Sequence, residues 1–278
     1  MQKEQERDIL LGQAYADDRH LDVRYRTHQL YTVDPVDFGR WTLEQLRWHG
    51  NERVLDIGCG PGDLIRRMGQ EHKGWGLLAG LDFSPGMIAK AVASTESPAV
   101  AYLAGEAQAL PFPDRFFDVA MARHMLYHVP DIDQAIAEAA RVLRPGGVFL
   151  VTTNSAHTMP EYEDLRREAA RRFSALSQPE LTTERFSLEN AEAFLNRCFE
   201  RVESRILRGT LRFPAAEPLV DYFASSRALT MAPDHTEDDW QAVLAFVRAE
   251  AEKAIARQGH LDVTKITGAI VGVRGDSG

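Results

Sequence analysis

Nine residues, Val54-Leu55-Asp56-Ile57-Gly58-Cys59-Gly60-Pro61-Gly62, set one carboxylate and three alternating glycines where a chain can meet a ligand with bare backbone. Glycine adopts positive φ without steric penalty and leaves no Cβ in the way of an approaching group. A carboxylate at Asp56 suits a cationic or amine-bearing ligand better than a pyrophosphate. The dinucleotide pattern G-x-G-x-x-G fails in both registers, because Asp63 and Ile65 stand where its last glycine belongs. Further along, His124 and His128 lie within Ala122-Arg123-His124-Met125-Leu126-Tyr127-His128-Val129-Pro130-Asp131. Histidine exchanges protons near neutrality, so either is a candidate general base. For His124 a pocket-facing and a structural role are both open, and His128 before Val-Pro-Asp also reads as a loop-holding hydrogen-bonding group. Cys59 has the look of a nucleophile, yet a small inert packing residue fits the same place.

Strands and helices must hold these groups. Val54 to Ile57 reads as the end of a buried strand, with Leu64, Ile65 and Met68 in the helix after the glycine turn. Leu77 to Leu81 is a second strand ending in Asp82, and Ser84-Pro85 is a helix start with a serine cap and an early proline. Val100 to Leu103 is a third strand, followed by Gly105-Glu106-Ala107, and Leu110-Pro111-Phe112 with Phe117-Asp118-Val119 leads into a fourth. Asp131 to Gln134 has the form of a capping box, and Ile132, Ala135, Ile136, Ala139, Val142 and Leu143 recur at helical spacing. Arg144-Pro145-Gly146-Gly147 stops that helix, and Val148 to Val151 is a fifth strand. Beyond it the pattern predicts a charged helix over Glu161 to Leu176 and a helix from Ser187 through Ala191, Phe194 and Leu195. A sixth strand near Val202 to Leu207 and a last one over Ile266 to Val273 enclose a long helical stretch. Its apolar faces are Leu219, Val220 and Phe223, then Trp240, Val243, Leu244 and Val247.

The glycine run, the acid ending the second strand, Gly105-Glu106-Ala107 and the histidine segment come in an order that resembles the class I S-adenosylmethionine-dependent methyltransferases. The likeness is greatest to the broad group that includes ubiquinone and menaquinone biosynthesis enzymes. It spans roughly residues 51–154 and is loose elsewhere. It implies an α/β, Rossmann-like, seven-stranded, mostly parallel sheet with an antiparallel last strand and helices on both faces. Helical additions are expected as a lid over residues 1–48 and, within a methyltransferase domain over 49–278, as insertions at about 155–198 and 213–260 that cover the acceptor pocket.

The resemblance also implies roles. Cofactor contacts fall on Asp56, Gly58, Gly60, Gly62, Phe83, Met87, Glu106 and Ala107, with Asp82 accepting both ribose hydroxyls. Glu106 reaches for the adenine amino group, where many relatives have aspartate. Phe83 and Leu110 either sandwich the adenine or belong to the core. Arg123 stands where many relatives have asparagine. Next to a sulfonium it is repelled unless a carboxylate pairs with it, in which case it joins the cofactor set or binds an anionic group of the acceptor; a solvated surface arginine is the plain alternative. Arg24, His28 and Tyr31 are spaced i, i+4, i+7, one face of a helix, in a pattern similar to the lid helix of some small-molecule methyltransferases. Arg24 is then the partner of the methionyl carboxylate and His28 and Tyr31 line the acceptor pocket, or the three simply pack with Arg24 in a salt bridge. His124, Tyr127, Thr153, Asn154 and His157 complete the candidate acceptor set, although polar residues at a strand end also cap helices.

The implied reaction moves a methyl group from S-adenosylmethionine to an N, O, S or C nucleophile of a small molecule and leaves S-adenosylhomocysteine. Positioning supplies roughly 7–11 kcal/mol of such a barrier, and a base adds about 10²–10⁴-fold where the acceptor must lose a proton. No metal-ligand set is evident. The net charge of −9 argues against a nucleic-acid acceptor. RNA or protein methylation, and S-adenosylmethionine binding without turnover, are the alternatives. No 18-residue apolar run spans a membrane, the first residues lack a secretory apolar core, and two cysteines make no disulfide framework. The reading is a cytoplasmic protein, monomer or homodimer.

Overall fold

The computed structural model describes residues 19–72, 74–176, 182–232 and 235–276, so the first part of the expected lid, residues 1–18, lies outside the described residues. In chain order the elements begin with α1 (Arg19–Tyr31), β1 (Thr32–Val33), α2 (Phe38–Leu43), β2 (Arg53–Ile57), α3 (Asp63–Glu71), β3 (Leu77–Asp82), α4 (Pro85–Ala93) and β4 (Val100–Ala104). Next come β5 (Phe117–Arg123), α5 (Ile132–Val142), β6 (Leu143–Asn154), α6 (Pro160–Arg172), α7 (Thr182–Arg185) and α8 (Leu188–Leu195). The chain continues through β7 (Arg201–Phe213), α9 (Glu217–Ala224), α10 (Arg227–Thr230), α11 (Glu237–Gln258) and β8 (Leu261–Val273).

The described residues divide into two compact units. A sheet unit is drawn from residues 36–156, 182–207 and 267–278, and a helical unit from residues 1–35, 157–181 and 208–266. Strands align in the order β1-β7-β8-β6-β5-β2-β3-β4. From β6 to β4 neighbouring strands run parallel, and β8 is antiparallel to β6, with Val148 opposite Val273 and Asn154 opposite Thr267. Because β2 lies between β3 and β5, the strand order reverses there, and an open parallel sheet binds ligands at such a reversal, beyond the carboxyl ends of its strands.

Both faces of the sheet are covered, and the side chains show it by strict alternation. Leu55, Ile57, Ala120, Ala122, Phe149 and Val151 join one core cluster, with Ile136, Ala139 and Val142 of α5. Val54, Val119, Met121 and Leu150 join the other, with Leu64, Ile65 and Met68 of α3. A period of two on strands against 3.6 on helices produces this two-sided packing. The helical unit has a core of its own, built on Leu211, Phe213, Leu219, Val220, Phe223, Trp240, Val243, Val247 and Val263, with Leu244 partly buried against it.

The local signals act as the sequence suggests. Ser84 accepts the Met87 amide through its hydroxyl at the start of α4 and Pro85 follows it. Asp131 accepts the Gln134 amide, and the Gln108 side chain, rather than Gln134, accepts from the Asp131 amide. Ser187 and Asn190 form a reciprocal capping box. The sheet has eight strands instead of the seven expected. The additional strand, β1, is two residues long, pairing Thr32 with Leu211 and Val33 with Thr210, too short to carry a period. The sixth and last strands are longer than expected, β7 reaching Phe213 and β8 starting at Leu261, and the charged helix α6 stops at Arg172 instead of Leu176.

Phe149 is fully buried and stacks on Phe199 with centroids 5.5 Å apart. We predict that Phe149→Ala lowers unfolding stability by about 3–5 kcal/mol, measured as a fall in denaturant midpoint at constant slope.

Candidate active site

The glycine turn after β2 is held by β3. Gly58, Gly60 and Gly62 all have positive φ, at 69°, 56° and 78°. Their amides are already used: Gly58 and Cys59 donate to the Leu81 carbonyl at 2.7 and 3.0 Å, Gly62 donates to the Cys59 carbonyl at 3.1 Å, and Gly60 donates to Asp82 Oδ2 at 2.9 Å. A loop with these amides turned inward is a poor cradle for phosphate, which needs free N–H groups. Two of the glycines are required by neighbours: a Cβ on Gly58 would lie 2.8 Å from the Met125 side chain, and one on Gly62 would lie 2.5 Å from the Tyr102 hydroxyl. At Gly60 a Cβ would meet nothing within 4 Å, so the space above that residue is open.

Asp82 ends β3 and is only 7% exposed. Besides the Gly60 contact, its Oδ1 accepts from the Ser84 amide at 2.9 Å. Burial pushes its carboxyl above the usual carboxylate range; the Ser84 and Gly60 amides oppose this, and the Asp56 carboxylate reinforces it. Each oxygen accepts one amide, and a carboxylate oxygen has room for a second donor. Two hydroxyls of a sugar diol are such donors. The open backbone at Gly60 and the acceptor pair of Asp82 fit the nucleoside part of S-adenosylmethionine.

Asp56 is fully buried, and both of its oxygens meet Arg123, Nη2 to Oδ2 at 2.9 Å and Nε to Oδ1 at 3.3 Å. The carboxylate that would neutralise Arg123 near a sulfonium is therefore Asp56 itself. A fork-shaped contact of this kind is specific to arginine. Arg123 is thus a half-buried member of an ion pair and not a solvated surface group, and Asp56 meets a cation of the protein.

His124 follows β5 in a left-handed conformation, φ 50°, which is strained for a residue with a side chain. Its amide donates to the Thr152 carbonyl at 2.9 Å, and its half-buried ring lies 5.3 Å from that of Phe38 on α2. Leu126 to His128 form one 3-10 turn, with Tyr127 and His128 rings edge to face at 4.5 Å. Arg185 also holds this loop, donating to the carbonyls of Tyr127, Val129 and Pro130. A lone arginine after a distant helix gives no sequence signal for that role. Arg141 does the same for the preceding loop, donating to the carbonyls of Leu110 and Phe112 while paired with Glu138 and Asp114.

Around the glycine turn, Phe83 is half-buried, Met87 and Ala107 are buried, and Glu106 is exposed after β4. Leu110 belongs to the core, which decides between its two readings. Burial, reinforced by the Asp56 and Asp82 carboxylates, pushes the Cys59 thiol far above its ordinary range, so it is packing and not a nucleophile. At the end of β6, Asn154 is half-buried, while Thr153 is fully buried and donates to the Phe186 carbonyl, which removes it from the acceptor set. His157 is an exposed residue of the helical unit. In that unit Arg24, His28 and Tyr31 do share one side of a helix: Arg24 donates to the Ser225 hydroxyl at 3.1 Å, His28 meets Tyr222 edge to face, and Tyr31 lies against Phe213. Arg24 has Ser225 where a salt bridge was the packing alternative.

Comparison with known proteins agrees with this geometry. Residues 55–151 match the model of the methyltransferase domain family. That segment is similar to methyltransferase domains. The chain is 39% identical over 121 residues to an uncharacterized 37.1 kDa protein in transposon Tn4556 of Streptomyces fradiae, covering 43% of this chain and 35% of that one. It is 32% identical over 127 residues to the demethylmenaquinone methyltransferase of Shouchella clausii, covering 45% and 54% of the two chains. The chain thus spans about half the length, or less, of these curated relatives. Its fold is similar to that of phosphoethanolamine N-methyltransferase 2 of Haemonchus contortus, solved with phosphomonomethylethanolamine and S-adenosylhomocysteine. That likeness has a TM-score of 0.60 and 18% identity and covers 97% of this chain and 60% of that one.

Removing one member of the buried ion pair leaves the other uncompensated. We predict that Arg123→Met lowers stability by about 3–5 kcal/mol and that Asp56→Leu combined with Arg123→Met regains most of the loss. Chemical denaturation of the two variants checks this; equal losses would show that Arg123 matters by packing alone.

Proposed function

We propose that this protein transfers a methyl group from S-adenosylmethionine to a small-molecule acceptor. The observation that carries the reading is the buried Asp82 carboxylate clamped to Gly60 and Ser84 beside the open backbone of Gly60. Asp82 accepts the ribose hydroxyls, Gly58 to Gly62 let the nucleoside lie against the main chain, and Glu106 reaches the adenine amino group. Phe83, Met87 and Ala107 supply apolar contact. Asp56 acts through Arg123, holding a cation whose charge it cancels.

Bound S-adenosylmethionine supplies a methyl carbon already activated by its sulfonium. Its methyl carbon would pass to the acceptor atom as the carbon–sulfur bond breaks, with the electron pair left on the sulfur of S-adenosylhomocysteine. The task of the chain is to hold the acceptor in line, which is the larger part of the catalysis. Where the acceptor carries a proton, His124 is the base, placed by its strained backbone at the end of β5, with His128 and Tyr127 one 3-10 turn further on. In the sheet unit, Asn154 at the end of β6 is the polar group assigned to the acceptor beside His124 and Tyr127. The net charge of −9 supports a small acceptor over nucleic acid. Among the described residues no helix is long and apolar enough to cross a membrane.

S-adenosylhomocysteine at 100 times its dissociation constant stabilises the native state by about 2.7 kcal/mol, and we predict a matching rise in melting temperature that Asp82→Ala abolishes. The raised carboxyl of Asp82 sets a pH dependence. The fold favours its protonated form, an advantage lost as pH rises through the folded-state pKa. A diol donates to the ionised form, so affinity falls as pH is lowered through that pKa, and Asp82→Asn removes the dependence. Calorimetry across that window reads both. His124→Ala is predicted to reduce turnover by about 10²–10⁴-fold with cofactor affinity unchanged; equal loss in both would place His124 in the cofactor site. Transfer of labelled methyl into a metabolite extract, but not into bulk RNA or protein, is the expected acceptor profile.

A further inference from the structure

The Asp56 carboxylate has no exposed surface, although it stands on β2 only two residues before the glycine turn. What closes it is Arg123. The guanidinium meets both carboxylate oxygens, at 2.9 and 3.3 Å, while 21% of the arginine side chain stays exposed. An acid at the reversal of strand order is thus sealed by a cation that itself borders solvent.

A second place for that cation lies on the next strand. Arg123 on β5 is paired in register with Thr152 on β6. Side chains alternate along a strand, and Val54, Met121 and Leu150, each two residues earlier, share one core cluster. Asp56, Arg123 and Thr152 therefore follow them on the same face, at the carboxyl ends of three neighbouring strands of the sheet unit. Thr152 is 1% exposed, and its hydroxyl is buried without a hydrogen-bond partner among the described residues. Its ladder neighbour on the other side, Ala269, offers only a methyl. A valine has the same shape without an unsatisfied polar atom, so the hydroxyl weakens the free protein. A guanidinium resting on it would supply the missing donor.

We propose that Arg123 holds the place of a ligand ammonium. The amino-acid end of S-adenosylmethionine exchanges with the ion pair: its ammonium goes to Asp56 and its carboxylate to Arg123, whose guanidinium shifts onto the Thr152 hydroxyl. This exchange rests on the methyltransferase reading. Two cations and two carboxylates take part before and after it, so no buried charge is left uncompensated. It also discriminates between ligands, because a nucleoside without an ammonium cannot replace Arg123 and leaves Asp56 closed.

The test uses the full chain with S-adenosylhomocysteine and with methylthioadenosine, which shares its nucleoside and thioether but has no amino-acid end. The Arg123 Nε–H resonance, assigned by its loss in Arg123→Lys, is expected to move with S-adenosylhomocysteine and to stay in place with methylthioadenosine. Without ligand, Thr152→Val is expected to melt no lower than the parent. By calorimetry it is expected to bind methylthioadenosine as the parent does and to lose at least about tenfold in affinity for S-adenosylhomocysteine, about 1.4 kcal/mol. An Arg123 resonance unmoved by saturating S-adenosylhomocysteine, or moved equally by both ligands, would overturn the proposal. So would a Thr152→Val protein with undiminished affinity for S-adenosylhomocysteine or an equal loss for both ligands. A lower melting temperature of that variant would do the same, because it would reveal a partner for the hydroxyl in the free protein. Binding of neither ligand to the parent would instead refute the methyltransferase reading, and the exchange with it.

Discussion

The Asp82 carboxylate joins three pieces of backbone at one point. One oxygen takes the amide of Gly60 from the turn after β2, and the other takes the amide of Ser84 at the cap of α4. The Leu81 carbonyl next to it receives Gly58 and Cys59. Together these four hydrogen bonds fold the glycine turn against the end of β3 and leave Gly60 facing open space. The chemistry assigned to the site depends on this arrangement. If the amides faced outward the turn would attract phosphate. With the amides inward, the exposed features are flat backbone and carboxylate lone pairs, which suit a nucleoside.

A second constraint follows from burying so much acid. Asp56 and Asp82 lie at the ends of adjacent strands, and each raises the energetic penalty of charge on its surroundings, as the Cys59 thiol registers. Arg123 on β5 compensates Asp56. This explains why an arginine is tolerated close to a place where a sulfonium is expected: seen from the site, the pair is nearly neutral. Buried pairs add little net stability, so its value lies in fixing geometry at the reversal of strand order, where β2 and β5 both end.

Much of this was legible in the sequence because the signals are local. The glycine run, Ser84-Pro85, the Asp131 cap and the two-residue alternation of the strands each depend on neighbours within a few positions. The likeness to a methyltransferase domain followed from their succession. What the sequence hid depends on distant partners. Arg185 holds a loop more than fifty residues earlier in the chain, at Tyr127 to Pro130, and Arg123 could be read as free because its partner Asp56 lies on another strand. Leu110 had an adenine-stacking reading and Thr153 a pocket-facing one, and burial removes both. The strand β1 has too few residues for a period, and β7 and β8 run on past the core because the helical unit continues them.

The most direct test of the central arrangement is amide exchange of Gly60 and Ser84, followed by nuclear magnetic resonance with and without S-adenosylhomocysteine. Hydrogen bonds to a buried carboxylate predict that both amides are protected in the free protein, although each lies in a turn. Ligand is predicted to slow them further, because a diol sharing Asp82 ties the turn to the nucleoside. Exchange at ordinary loop rates, unaltered by saturating ligand, would contradict the account.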